Sequence, residues 1–257
     1  MEKKEKNNDE ARFKRLRYFN GFMVFLHLAQ GILMWILSSD FSLPVTTAYL
    51  RFNSETGELV QNLQQAWQIR IGPMVAVFLI ISALAHFSVA TFGFKWYVRK
   101  LKKSINPARW YEYSLSSSLM IVIIAMLAGM YDLSSLILVF SLNAMMILFG
   151  LVTEVFNDPD GKVNWLPFNF GCLAGIVPWV TIGLYLYGAG SVPNFVYGIF
   201  GSIFLFFNVF ALNMFLQYKG WGSWADYIYG ERVYILLSLF AKSVLAWQVF
   251  AGTLRPM

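Results

Sequence analysis

The sequence predicts an all-α membrane protein, a seven-transmembrane-helix bundle with a cytoplasmic N-terminus and a small extracellular β-hairpin between helices 1 and 2. Three observations carry this prediction. The 257 residues are 58% hydrophobic and only 13% charged, whereas soluble domains hold about 25% charged residues. Apolar blocks recur along the chain, each long enough to cross a hydrocarbon core of ~30 Å as a helix. Lysine and arginine concentrate in alternate connections between these blocks.

The apolar blocks give seven predicted spans, numbered in chain order. Their ranges are about 18–38, 70–92, 112–131, 134–156, 166–188, 194–217 and 233–254. A charged head, residues 1–17, precedes span 1. Because no A-x-A-like cleavage site follows that span, we expect it to be retained rather than removed as a signal peptide. We expect a single membrane domain over residues 1–257.

The basic residues predict the orientation of the bundle. Sixteen lysines and arginines lie in the head and in the connections after spans 2, 4 and 6, against three on the opposite side. The positive-inside rule therefore places the N-terminus in the cytoplasm and the C-terminus outside the cell membrane. A G-protein-coupled receptor would have the opposite orientation, and usually an external disulfide that the single Cys172 cannot supply within the chain. The net charge of +6 is then a topology signal, and we expect no nucleic-acid partner.

The connection between spans 1 and 2, residues 39–69, is much longer than the others. Its segment "LPVTTAYLRFN" is rich in β-branched and aromatic residues, "SETGE" is typical of a turn, and "LVQNLQQ" can return as a second strand. We expect an extracellular β-hairpin that could pack on a neighbouring subunit. An irregular loop is the alternative.

Lys242 stands in the middle of span 7, within the apolar stretch "LLSLFAKSVLAWQVF". Nine residues beyond the predicted start of the span, it lies about 14 Å deep, where a lysine reaches water poorly. It could line a hydrated cavity or pair with a carboxylate for packing. The sharper hypothesis is a desolvated amine that condenses with an aldehyde to form a Schiff base.

A buried cation at Lys242 needs a counter-ion. Glu112 near the start of span 3 is the better candidate, because the Lys242 side chain leans toward its level. Glu154, near the end of span 4, is expected to be a solvated helix end. The alternative for Glu112 is an interfacial carboxylate beside Arg109 on the same helix face. Asn106 is expected to cap this helix, with Pro107 at its first position.

Four further polar residues accompany this pair. Ser116 and Ser238 lie one helical turn from Glu112 and Lys242, and their hydroxyls could solvate the charges or bond the backbone. The two histidines, His27 and His86, lie inside spans 1 and 2. They are either satisfied core residues or members of a shared polar cavity.

At these residues the chain resembles the heliorhodopsins, retinal-binding proteins inverted in the membrane relative to other microbial rhodopsins. The resemblance covers essentially the whole chain and is most specific in "NPARWYEYSLSSSLM" and "SLFAKSV". It implies that Lys242 carries all-trans retinal, that Glu112 is the Schiff-base counter-ion and that Ser238 neighbours the linkage. It places His27 and His86 in a polar cavity, where they accept or influence the proton, and Asn143 and Ser116 in the pocket. It also implies a homodimer whose first external loop contributes a β-hairpin.

Two departures from rhodopsin pumps bear on function. The aspartate four residues before their lysine is Ser238 here, and the carboxylate eleven residues after their counter-ion is Ile123. We therefore expect a light-sensing photoreceptor with Schiff-base deprotonation in its photocycle and no net ion pumping, signalling to an unknown cytoplasmic partner. It is expected to be neither an enzyme nor a metal protein. The alternatives are a light-gated channel or light-driven transporter, and a retinal-free protein with a structural Lys242–Glu112 pair.

Overall fold

The computed structural model describes the backbone of residues 2–158 and 161–255, and within these ranges the side chains from residue 9 onwards. Lys3, Lys4 and Lys6 of the predicted basic head have side chains outside the described residues. The helices are α1 (Glu2–Leu37), α2 (Ile71–Ala90), α3 (Phe94–Leu101), α4 (Pro107–Leu127), α5 (Leu133–Phe156), α6 (Leu166–Gly188), α7 (Asn194–Lys219) and α8 (Tyr227–Val249), and the strands are β1 (Ser42–Asn53) and β2 (Glu58–Arg70). All of these helices except α3 are long and apolar enough to cross a membrane, which confirms the seven predicted spans.

Three helices extend beyond the apolar spans predicted from hydropathy. The charged head is helical, because α1 runs without a break from Glu2 into span 1. The helix of span 3 begins at Pro107, five residues before the apolar span, and the predicted cap is confirmed, because the Asn106 side chain accepts a hydrogen bond from Arg109 N. Span 7 begins at Tyr227 rather than near 233, where the Asp226 carboxylate accepts from Ile228 N. Both helices therefore carry an extra turn of charged and aromatic residues into the bundle.

The long first connection forms the predicted hairpin. β1 and β2 pair antiparallel from Ser42 opposite Arg70 to Asn53 opposite Glu58. Gly57 closes the turn with a φ of +70°, which glycine adopts at no steric cost. The hairpin is attached to the bundle where Thr46 N donates to Tyr131 O at 2.8 Å, in the α4–α5 connection. This end of the bundle is called the hairpin side, and the opposite end the N-terminal side.

α4 is the central helix of the bundle. In its most apolar stretch 78% of the residues are buried, more than in any other described span. Its two halves differ in chemistry. On the hairpin side Ile121, Ile123 and Ile124 are fully buried against an apolar core that includes Leu245 and Val249. On the N-terminal side the buried residues of α4 are charged, aromatic or hydroxyl-bearing. The interior is therefore dry toward the hairpin and polar toward the N-terminus.

Candidate functional site

Lys242 lies at the boundary between these two halves and is 3% exposed. Its Nζ donates hydrogen bonds to Glu112 Oε1 and to Ser238 Oγ, both at 2.8 Å. The parallel course of α4 and α8 brings the two charged residues together, although 130 positions separate them in the chain. The ammonium also lies 5.0 Å from the centre of the Tyr113 ring, whose face attracts a cation. The structure thus brings together the predicted amine, the predicted carboxylate and the predicted hydroxyl.

Glu112 has a second partner that the sequence reasoning missed. Ser82 on α2 is fully buried, and its hydroxyl donates to the same Glu112 Oε1 at 2.6 Å. The spacing of residues could have indicated it, because Ser82 precedes His86 by one helical turn and so lies on the same face of α2. With Lys242 and Ser82 both donating to one oxygen, Glu112 is held as an acceptor at the centre of the bundle.

The two histidines lie together beside this pair. The rings of His27 and His86 stack with centroids 5.5 Å apart and planes inclined by 9°. His86 Nδ1 lies 2.7 Å from Asn20 Oδ1, while neither ring nitrogen of His27 has a hydrogen-bond partner among the described residues. His86 borders a small polar cavity together with Glu112, on the N-terminal side of Lys242. Asn20 was not identified from the sequence, because a lone asparagine near a predicted helix start carries no specific signal.

A largely apolar cleft extends from Lys242 toward α6. Its part next to the lysine has a volume of about 40 Å³ and is bordered by Ser116, Met120 and Phe207. It adjoins a space of about 150 Å³ that reaches Trp179 on α6. A dry cavity of that size accommodates a six-membered hydrocarbon ring. An amine at the end of an elongated aromatic cleft suits an aldehyde that carries a long apolar chain.

The predicted pocket residues Ser116 and Asn143 occupy different positions. Ser116 borders the cleft, and its buried hydroxyl has no hydrogen-bond partner among the described residues. Asn143 does not border it. Its amide donates to Ser117 Oγ at 2.9 Å and to Ser118 Oγ at 3.0 Å, which ties α5 to α4 behind the cleft wall.

A second charged cluster lies one helical turn from Glu112, toward the N-terminal side. It shows that two expectations were wrong. Arg109 does not join Glu112 at an interface; its guanidinium is buried and forms salt bridges with Glu154 and Glu231. Glu154 is not a solvated helix end, because only 2% of its side chain is exposed. Glu231 escaped the sequence reasoning because span 7 was started two residues too late to include it. The capping signal of Asp226 could have placed it inside the helix.

The fold is that of the rhodopsins. Among solved structures, the crystal structure of thermophilic rhodopsin matches with a TM-score of 0.55 and 15% sequence identity, covering 94% of this chain and 93% of that one. The search of curated proteins found no match. The heliorhodopsin family model matches residues 16–254, so the chain belongs to the heliorhodopsin family. It is an integral membrane protein of a retinal-binding rhodopsin class. The amine of Lys242 at the end of an apolar cleft fits a bound retinal.

Proposed function

We propose that the protein is a light-sensing photoreceptor that holds all-trans retinal on Lys242 as a Schiff base, with Glu112 as its counter-ion. The observation that carries this proposal is the 2.8 Å contact between Lys242 Nζ and Glu112 Oε1 at the end of an apolar cleft. When bound, the retinal supplies absorption of visible light and a change of shape on isomerisation. Ser116 and Ser238 border the attachment point, and Asn143 supports the cleft wall from behind.

The chain's own residues provide a short path for a proton away from Lys242 Nζ. Glu112 Oε1 is already in hydrogen-bond contact and would receive it first. Ser82 stays in contact with that oxygen, and His86 borders the same polar cavity. In this proposal His27 and His86 influence where the proton goes next, and the Tyr113 ring stabilises the positive charge at Nζ.

The distribution of titratable groups favours a sensor over a pump. Beyond Lys242 toward the hairpin, α4 and α8 contribute Ile121, Ile123 and Leu245, all fully buried. Moving a charge through such an apolar layer costs several kcal/mol or more. A proton that leaves toward Glu112 would therefore return by the same route. Transport by a light-gated channel or pump would need a path through this layer.

We also propose that the N-terminal side faces the cytoplasm, that this face signals to a partner there, and that the protein is a homodimer. The excess of basic residues on this side supports the orientation. The hairpin supports the dimer, because it exposes large apolar side chains, among them Tyr49, Leu50, Phe52 and Leu63. Apolar surface of this kind is typical of protein contacts.

The test is to add all-trans retinal to membranes that contain the full-length protein and to record the absorption spectrum before and during illumination. A visible band that converts reversibly to a near-ultraviolet band is expected, as a proton leaves the linkage and returns. A chain that forms no visible band would instead use Lys242 and Glu112 as a structural pair.

A further inference from the structure

With both of its carboxylates ionised, the charged cluster on the N-terminal side of Glu112 has one negative charge in excess. Arg109 contributes one positive charge, and Glu154 and Glu231 contribute one negative charge each, with only 2–3% of each side chain exposed. A buried charge without a partner is costly, and two carboxylates that share one cation repel each other. One proton on either carboxylate would cancel the excess charge. The cluster is therefore built to take up a proton.

The two carboxylates are bound differently. Besides Arg109, Glu154 accepts from Trp110 Nε1 at 2.6 Å, from Asn106 N at 2.8 Å and from Tyr227 OH at 3.0 Å. Glu231 accepts from Asn106 Nδ2 at 2.7 Å and from Tyr97 OH at 2.9 Å, both on Oε1. Its Oε2 has Arg109 as its single donor among the described residues. Glu231 thus has the freer oxygen.

A cavity of about 30 Å³ connects Glu231 to the site of Lys242. Glu112, His86, Arg109 and Glu231 all border it. A cavity that exceeds about 10–15 Å³ and offers two or more polar partners can hold a water molecule, and the side chains of Glu112, His86 and Glu231 are such partners. A water held there would carry protons between groups too far apart for direct contact. Glu154 does not border this cavity. Of the two carboxylates in the cluster, Glu231 is therefore the one that a proton crossing the cavity from Glu112 reaches first.

Two tyrosines also border the cavity, and both are donors: Tyr113 OH donates to Tyr234 O, and Tyr97 OH donates to Glu231. Tyr97 lies on α3, outside the spans, and burial together with the charge of Glu231 raises the pKa of its hydroxyl well above the ordinary value. It therefore keeps its proton and bonds Glu231. Because Tyr97 is buried, this bond also anchors α3 to α8 at the N-terminal side.

We propose that Glu231 is the terminal store for the proton that leaves Lys242 Nζ, received by way of Glu112 and held at Oε2 beside Arg109 and Glu154. This inference rests on the proposed function, since it names the acceptor for the same site. The proton neutralises Glu231, weakens its salt bridge to Arg109 and thereby loosens the bond that anchors α3 through Tyr97. Proton release at Lys242 is thus coupled, through Glu231, to the N-terminal face of the protein.

Light-induced infrared difference spectra of the full-length protein with retinal, in membranes, test the store directly. Wild type should gain a protonated-carboxyl band as the near-ultraviolet species forms. Glu231→Gln should lose this band and shorten the lifetime of that species at least tenfold, because the proton returns from a nearer group. Glu58→Gln, an exposed change in the hairpin, should retain both. A band that persists unchanged in Glu231→Gln would overturn the proposal and point to Glu112 or His86.

Two further measurements keep the test decisive. Tyr97→Phe leaves both carboxylates in place but removes one donor from Glu231. The carboxyl band should therefore shift in frequency without disappearing, and an unshifted band would contradict the assignment.

In the retinal-free protein, acid titration should add one infrared carboxyl band that Glu231→Gln lacks. The presence of that band in the variant would also count against the store. A wild type without a visible band would overturn the proposed function, whereas a visible band with no effect of Glu231→Gln would overturn the store alone.

Discussion

Lys242 Nζ and Glu112 Oε1 lie 2.8 Å apart in the middle of the bundle, and each side chain is at least nine-tenths buried. A lysine and a carboxylate removed from water together are held by each other's charge, so a change at either one alters the other. The first two predictions follow from this dependence.

Lys242→Ala should abolish the visible band after all-trans retinal is added, because a methyl group cannot form the covalent bond to an aldehyde. Glu112, left without its ammonium partner, can take up a proton and remain bonded to Ser82. The measurement is the absorption spectrum together with circular dichroism to show that the helices persist. Lys95→Ala, an exposed change on α3, is the matched control and should keep its colour. A pigment in Lys242→Ala would exclude this attachment site.

Glu112→Gln should move the pH midpoint of the conversion from the visible to the near-ultraviolet band downward by about 1–3 pH units. The amide keeps the shape of the side chain but removes the negative charge that favours a proton on Lys242 Nζ. Where the linkage stays protonated, the visible band should shift to the red. Spectrophotometric titration measures both effects, with Glu58→Gln as control. Titration identical to wild type would mean that another anion balances Lys242.

Arg109→Met should lower stability by about 3–5 kcal/mol, because it leaves Glu154 and Glu231 buried with no cation between them. Thermal unfolding of the solubilised protein, followed by circular dichroism, measures the change as a lower midpoint. Arg99→Met is the control, since Arg99 is exposed on α3. Equal midpoints for the two variants would show that the buried cluster contributes nothing measurable.

Gly150→Ala should destabilise the protein by about 1–3 kcal/mol, the usual cost of overpacking. A methyl group at Gly150 on α5 would collide with the Trp110 ring, whose Nε1 donates to Glu154. Gly201→Ala on α7 is the control, because no atom lies within 4 Å of its added methyl group. The thermal midpoint should fall for Gly150→Ala and stay or rise slightly for Gly201→Ala. A midpoint unchanged at Gly150 would mean that the indole can move away without cost.

Illumination of wild-type protein in vesicles should produce neither a lasting pH change nor a steady current at zero voltage. The reason is the fully buried apolar layer that includes Ile121, Ile123 and Leu245, across which a proton has no titratable group to use. A light-driven proton pump in the same vesicles provides the positive control. A sustained current from wild type would favour the transporter alternative.

The sequence predicted more of the fold than of the site's surroundings. Hydropathy alone identified every span, and the turn residues of the first connection identified the hairpin. The cap at Asn106 was also predicted and is confirmed. The start of span 7 was placed too late, because the charged and aromatic residues before it lower the mean hydropathy, while Asp226 extends the helix by capping it. Glu231 was missed for this reason, because it precedes the predicted start of span 7.

What the sequence determined by itself was the depth of each polar residue, since a helix rises by a constant distance per residue. That is why Lys242 and Glu112 could be expected at one level. Only the tertiary structure decided which groups pair across helices. Arg109 stands one turn from Glu112 but turns to Glu154 and Glu231, because pairing depends on how α4, α5 and α8 are rotated against each other. Those rotations depend on how whole helix faces pack against each other, and the spacing of residues along a single helix does not determine this packing.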